Sequence, residues 1–136
     1  MNHEQIFLDT AGLMAVLDSD DRFHQPASEI WVHWNTHAAL LRTSNYVILE
    51  ASALVQRRLG MQALQLLHES LLAPVDIIWI SQSLHRRALG NLWVANRRYL
   101  SLVDCTSFAL MRELGLRHVF TFDKHFAEQG FTCLPQ

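Results

Sequence analysis

Short apolar runs, the length of a strand, alternate along this chain with longer stretches in which apolar positions return every third or fourth residue. Residues 5–9, QIFLD, are an apolar run ending in an acid and predict a buried strand. TAGLMAVLDSDD predicts a helix followed by a polar turn. HQPASEIWVHWNTHAAL predicts a second helix, with Pro26 suited to its first turn. LLRT predicts a short strand. SNYVILEASALVQRRLG predicts a helix capped by Ser44 and ended by Gly60, and MQALQLLHESLLA another, stopped by Pro74. VDIIWI is β-branched and aromatic and predicts a strand. SQSLHRRALGNLWVANRRY predicts a helix that tolerates Gly90. Ser101 caps a helix running from about Asp104 to Leu114 and closed by Gly115. HVFTF predicts a strand, DKHFAEQG a short helical turn, and FTCL a last edge strand. Strands alternating with helices imply parallel strands joined by helical crossovers, hence α/β, a three-layer α/β/α sandwich around a central parallel sheet.

The chain has 136 residues, the size of one domain, and half of it is hydrophobic, enough to bury a core. No repeat, linker or low-complexity segment divides it, so 1–136 reads as a single domain. No long uncharged apolar run suggests a membrane-spanning helix. The start, MNHEQIFLDT, lacks the basic and apolar regions of a secretory leader. Cys105 and Cys133 are far apart and follow no metal or redox spacing, which suggests two reduced thiols in a cytoplasmic protein. His33 and His37 are four apart on one predicted helix, yet no HExxH pattern surrounds them, and surface residues are expected. The net charge of −2 gives no bulk attraction to nucleic acid, so a polyanion would need a local basic patch or a bound cation.

The candidate chemistry lies in the acids. Asp9 ends the first predicted strand, and Asp123 ends HVFTFD. Both therefore fall at the carboxyl edge of the sheet, where ligands bind in folds of this class. Asp104 opens a helix and reaches the same edge if that helix feeds the HVFTF strand. Glu50 lies two turns into its helix, about 9 Å from the start, with a side chain long enough to reach back. Each acid has a plainer explanation. Asp9 and Asp123 could cap helices. Asp104 could complete a capping box with Ser101. Glu50 could pair with Arg57 or Arg58. Convergence explains all four at once. A carboxylate cluster repels itself unless a cation sits in it, and oxygen ligands select Mg²⁺ or Mn²⁺. Two such ions about 4 Å apart would stabilise the attacking water and the leaving oxygen of phosphodiester cleavage.

Three segments, IFLDTAGLMAVLD, RTSNYVILEASAL and LSLVDCTSFALMRELGLRHVFTFDKHFAEQGF, resemble the PIN domain, and especially the VapC-type toxins of bacterial toxin–antitoxin pairs. The resemblance spans nearly the whole chain. It implies a parallel-sheet α/β/α fold and a Mg²⁺- or Mn²⁺-dependent ribonuclease acting on single-stranded RNA. The family's acids fall on Asp9, Glu50, Asp104 and Asp123, as metal ligands and catalytic residues. Its small hydroxyl residues match Thr10 and Ser107, expected to bond waters or carboxylate oxygens behind the ligands. The resemblance also implies a cognate antitoxin that inserts a segment into the acidic pocket, and a homodimer.

RNA needs cationic contacts beyond the metals. Lys124, beside Asp123, and the pair Arg57–Arg58 are the candidates. Arg57–Arg58 and Arg97–Arg98 lie near helix C-termini, where cations also offset the helix dipole. Trp79 is expected in the core, and Trp31 and Trp34 in the core or at a dimer contact. Other acid-bearing α/β folds fit poorly. A receiver domain wants an acidic pair after the first strand, a haloacid-dehalogenase-type phosphatase wants D-x-D where position 11 is Ala, and no P-loop is present. The competing reading is a non-catalytic PIN fold that binds RNA or protein.

Overall fold

In the computed structural model, which describes residues 4–136, the run QIFL forms strand β1 (Gln5–Leu8). Residues 1–3, where the segment read for a leader begins, lie outside it. Ile6, Phe7 and Leu8 are all fully buried. Successive side chains of a strand point to opposite faces, so both faces of the sheet are covered at its centre. The chain continues through α1 (Thr10–Leu17), α2 (His24–Thr36), β2 (Leu40–Ser44), α3 (Asn45–Leu59) and α4 (Met61–Leu66). A π-helical turn, Leu67–Leu71, leads to β3 (Asp76–Ile78). There follow α5 (Gln82–Ala95), α6 (Leu102–Leu114), β4 (His118–Phe120), α7 (His125–Glu128) and β5 (Thr132–Leu134).

All strand pairs are parallel and the order is β3-β2-β1-β4-β5. The chain builds outward from β1 in one direction, then crosses to the other side to build β4 and β5. The reversal falls between β1 and β4, and a crevice opens at the carboxyl ends of strands at such a point.

Two strand ends and one helix end differ from the sequence reading, each because of a neighbouring strand. The ladder of β2 and β3 closes at Ser44 opposite Ile78, because Ser44 leaves the sheet to cap α3 by accepting the amide of Val47. Trp79 therefore has no partner. It is 77% exposed rather than part of the core. Likewise β1 turns into α1 after Leu8, opposite Phe120, so β4 stops at Phe120 and Thr121–Asp123 run beyond the sheet. The α2 helix ends at Thr36 rather than Leu40, since Leu40 must pair with Gln5; Ala38 turns the chain with φ 54°.

The core gathers on β1 and β4. Trp34 meets the Phe120 ring edge-on at 5.0 Å, and Trp31, half-buried, stacks on the same ring at 6.1 Å. Gly12 lets α1 lie against β4, since a Cβ there would stand 2.6 Å from the Phe120 carbonyl oxygen. Cys105 and Cys133 are free, and no helix among the described residues is long and apolar enough to cross a membrane.

Candidate active site

The β1–β4 crevice holds a pocket of about 320 Å³, and Asp9, Glu50, Asp104 and Asp123 all line it. Each arrives on a different element. Asp9 follows β1 and occupies the cap position of α1, but its carboxylate caps nothing. Instead its Oδ2 accepts the Thr121 hydroxyl at 2.7 Å. The same Thr121 oxygen accepts the Asp123 amide at 3.0 Å, so one hydroxyl ties two acids together. Asp123 in turn accepts the His125 amide at 3.0 Å on Oδ1.

Asp104 forms the capping box. Its amide donates to Ser101 Oγ at 3.0 Å, and its Oδ2 accepts the Ser101 amide at 3.2 Å. That occupies one carboxylate oxygen, and the residue still lines the pocket. Capping and pocket-lining, rivals in the sequence, are here two uses of one carboxylate. Glu50, half-buried on α3, forms no ion pair among the described residues, and neither Arg57 nor Arg58 neutralises it.

Burial drives the electrostatics. Desolvation pushes the Asp9 carboxyl up from 3.8 to about 7, opposed by the Thr121 hydroxyl and reinforced by the charges of Asp104 and Asp123. Asp104 is also raised, first by burial and then by Asp123 and Glu50. A site that raises its own acids in this way favours a cation. Among the described residues, however, no three Asp, Glu, His or Cys side chains stand close enough to ligate one ion unaided. The donor set fits a hard cation that keeps several waters and needs only one or two carboxylates, as Mg²⁺ does. Thr10 lines the same pocket, and its buried hydroxyl has no hydrogen-bond partner in the protein. A hydrated ion would provide it with one. Ser107 Oγ is likewise buried and unpartnered, on α6 and outside the pocket lining.

Of the expected RNA contacts, only Arg58 lines the pocket. Arg57 and Lys124 are exposed nearby in the sequence and are not part of its wall. Arg87 and Arg97 are engaged with Glu113 and Glu128 at 3.1 and 2.9 Å. Three features of the site were not expected. Thr121 organises the acids, and a fifth acid, Asp21, lines the pocket. So does an aromatic pair, Phe23 and Phe122. The acid-rich turn DSDDRF hinted at Asp21, but only the fold brings that turn over the crevice.

The sequence pattern of the PIN domain matches residues 6–131. This chain belongs to the PIN domain family. Its PIN-domain relatives include the 23S rRNA-specific endonuclease VapC20 of Mycobacterium tuberculosis, 32% identical over 127 residues, which are 93% of this chain and 95% of that protein. The crystal structure of VapC20, there called a Sarcin-Ricin loop cleaving toxin, matches with a TM-score of 0.82 at 30% identity, covering 93% of this chain and 96% of that one. DNA-bound VapBC from Salmonella typhimurium matches with a TM-score of 0.69 at 12% identity, covering 96% of each chain. FitAcB from Neisseria gonorrhoeae gives 0.63 at 17% identity, over 94% of this chain and 95% of that one. With these two the likeness is one of fold.

Proposed function

We propose that this PIN domain is a Mg²⁺- or Mn²⁺-dependent endoribonuclease that cleaves single-stranded RNA as the toxin of a toxin–antitoxin pair. One observation carries the reading: four acids from four separate elements line a single pocket at the topological switch point, two of them raised by burial and by the charge of neighbouring acids. Asp9, Glu50, Asp104 and Asp123 would hold the cation, directly or through water. A bound divalent cation would supply positive charge for the scissile phosphate and for the water that attacks it. Thr121 keeps Asp9 and Asp123 in register, and Ser101 fixes the rotation of Asp104. Thr10 would bond a metal-bound water. Arg58 at the rim would meet the RNA backbone.

The relationship to a 23S rRNA-specific endonuclease makes ribosomal RNA the first substrate to try. The antitoxin would be a small protein whose inserted segment presents a cation to the same acids. The test is cleavage of ribosomal RNA with Mg²⁺, with Mn²⁺ and with chelator, for wild type and Asp104→Asn. Cleavage that needs the ion and disappears in the variant supports the reading. Tight RNA binding with no cleavage under any metal would replace it with the non-catalytic module.

A further inference from the structure

One wall of the acid pocket is aromatic. Phe23 and Phe122 lie parallel, 2° apart in plane, with centroids 4.4 Å apart, and both line the pocket and are half-buried. Each is fastened to an acid of the site. Phe122 immediately precedes Asp123, and the Phe23 amide donates to Asp21 Oδ1 at 2.8 Å. The stack therefore stands at a fixed offset from the carboxylates. The exposed Arg22 lays its guanidinium carbon 4.5 Å from the Phe23 centroid. Arg22 has no ion-pair partner among the described residues.

Both rings pack against the core on one side, and they also form an apolar part of the wall of a charged, solvent-open pocket. A flat guanidinium on a ring marks a surface that accepts a planar π group, and an exposed arginine can be displaced from it. A nucleobase is such a group, and aromatic faces accept any base. We propose that Phe23, backed by Phe122, is a nucleobase-stacking subsite for a nucleotide next to the scissile phosphate, with Arg22 turning from the ring to that nucleotide's phosphate. The subsite rests on the nuclease reading for its substrate class. It gives the acid centre something it lacks, since phosphate contacts position a strand and carry no grip on the base. Single-stranded RNA leaves its bases free to stack in this way, whereas a duplex does not.

The experiment uses single-stranded RNA oligomers carrying 2-aminopurine, whose fluorescence falls on stacking. They are titrated with the full chain in Ca²⁺, and binding is followed separately by anisotropy. Wild type should quench the probe at one position along the oligomer. Phe23→Leu keeps an apolar side chain there and should keep the melting temperature, yet lose the quench and bind roughly 5- to 100-fold more weakly. Phe23→Trp should restore both. Binding without quench, no binding by wild type, or a Phe23→Leu protein that quenches like wild type would overturn the subsite. The same oligomers in Mn²⁺ report cleavage independently: an oligomer that stacks on Phe23 but is never cut upholds the subsite and sinks the nuclease.

Discussion

Thr121 acts on two acids through one oxygen, and its hydroxyl hydrogen bond stabilises the ionised form of Asp9. In Thr121→Val the shape is kept and the bond is lost. The Asp9 carboxyl should rise further, and the acid limb of a pH–rate profile should move to higher pH. The Asp9 shift also has a stability consequence with a definite sign. Its folded value of about 7 lies above the ordinary 3.8, so the metal-free fold loses stability as pH rises through that interval and none further above it. Asp9→Asn should remove this slope and stabilise the metal-free protein at pH 8 by about 2–4 kcal/mol. It should also cut cleavage by more than the roughly 100-fold that loss of a metal's outer partner costs. Denaturant melts across pH in chelator check the first effect and single-turnover cleavage the second. A protein destabilised by Asp9→Asn at pH 8 would contradict the burial argument. Thr121 was invisible in the sequence because its partner lies 112 positions away. The acids were legible because carboxylates in apolar runs require an explanation, and a hydroxyl does not.

Elements were readable where local chemistry dictates them and misread where a neighbour decides. Ser44 and Ser101 begin their helices and Gly60 and Gly115 end them as expected, because a cap is fixed by a few adjacent residues. VDIIWI and HVFTF have strand composition throughout, but a parallel strand lasts only as long as its partner, and composition cannot report that. Hence Trp79 fell outside the core, and Asp123 sits past β4 rather than at its last pair. Two substitutions test the elements that aim the site. Ser101→Ala removes the hydroxyl that accepts the Asp104 amide and should cost about 1 kcal/mol of stability, while the Ser101 amide still holds the Asp104 carboxylate, so cleavage by the folded protein should change little. Gly12→Ala drives a methyl into the Phe120 carbonyl and should cost about 1–3 kcal/mol by overpacking. Urea titration reads both, and a neutral Gly12→Ala would mean that α1 slides freely on β4.

Across the whole molecule, metal and fold should be coupled. A ligand that binds only the native state stabilises it by mass action, about 2.7 kcal/mol at a hundred times its Kd. Mn²⁺ should raise the melting temperature, chelator should reverse the gain, and Asp104→Asn should abolish it. If Asp9 ligates the ion it must first release its proton, and apparent affinity should then weaken roughly tenfold per pH unit below about 7. A metal shift that persists in Asp104→Asn would place the ion elsewhere.

The bond from Thr121 to Asp9 also sets a clock. It joins the central strand to a segment made 112 residues later, and β1 cannot complete its second edge until β4 arrives. Contacts of such span are slow to form, because loop closure precedes any return from the contact. The four acids form a complete set only once β1 and β4 have paired. In a refolding time course, RNA cleavage should return with the slowest native phase and lag behind the recovery of helical circular dichroism. A chain still being folded would thus be harmless to the RNA around it.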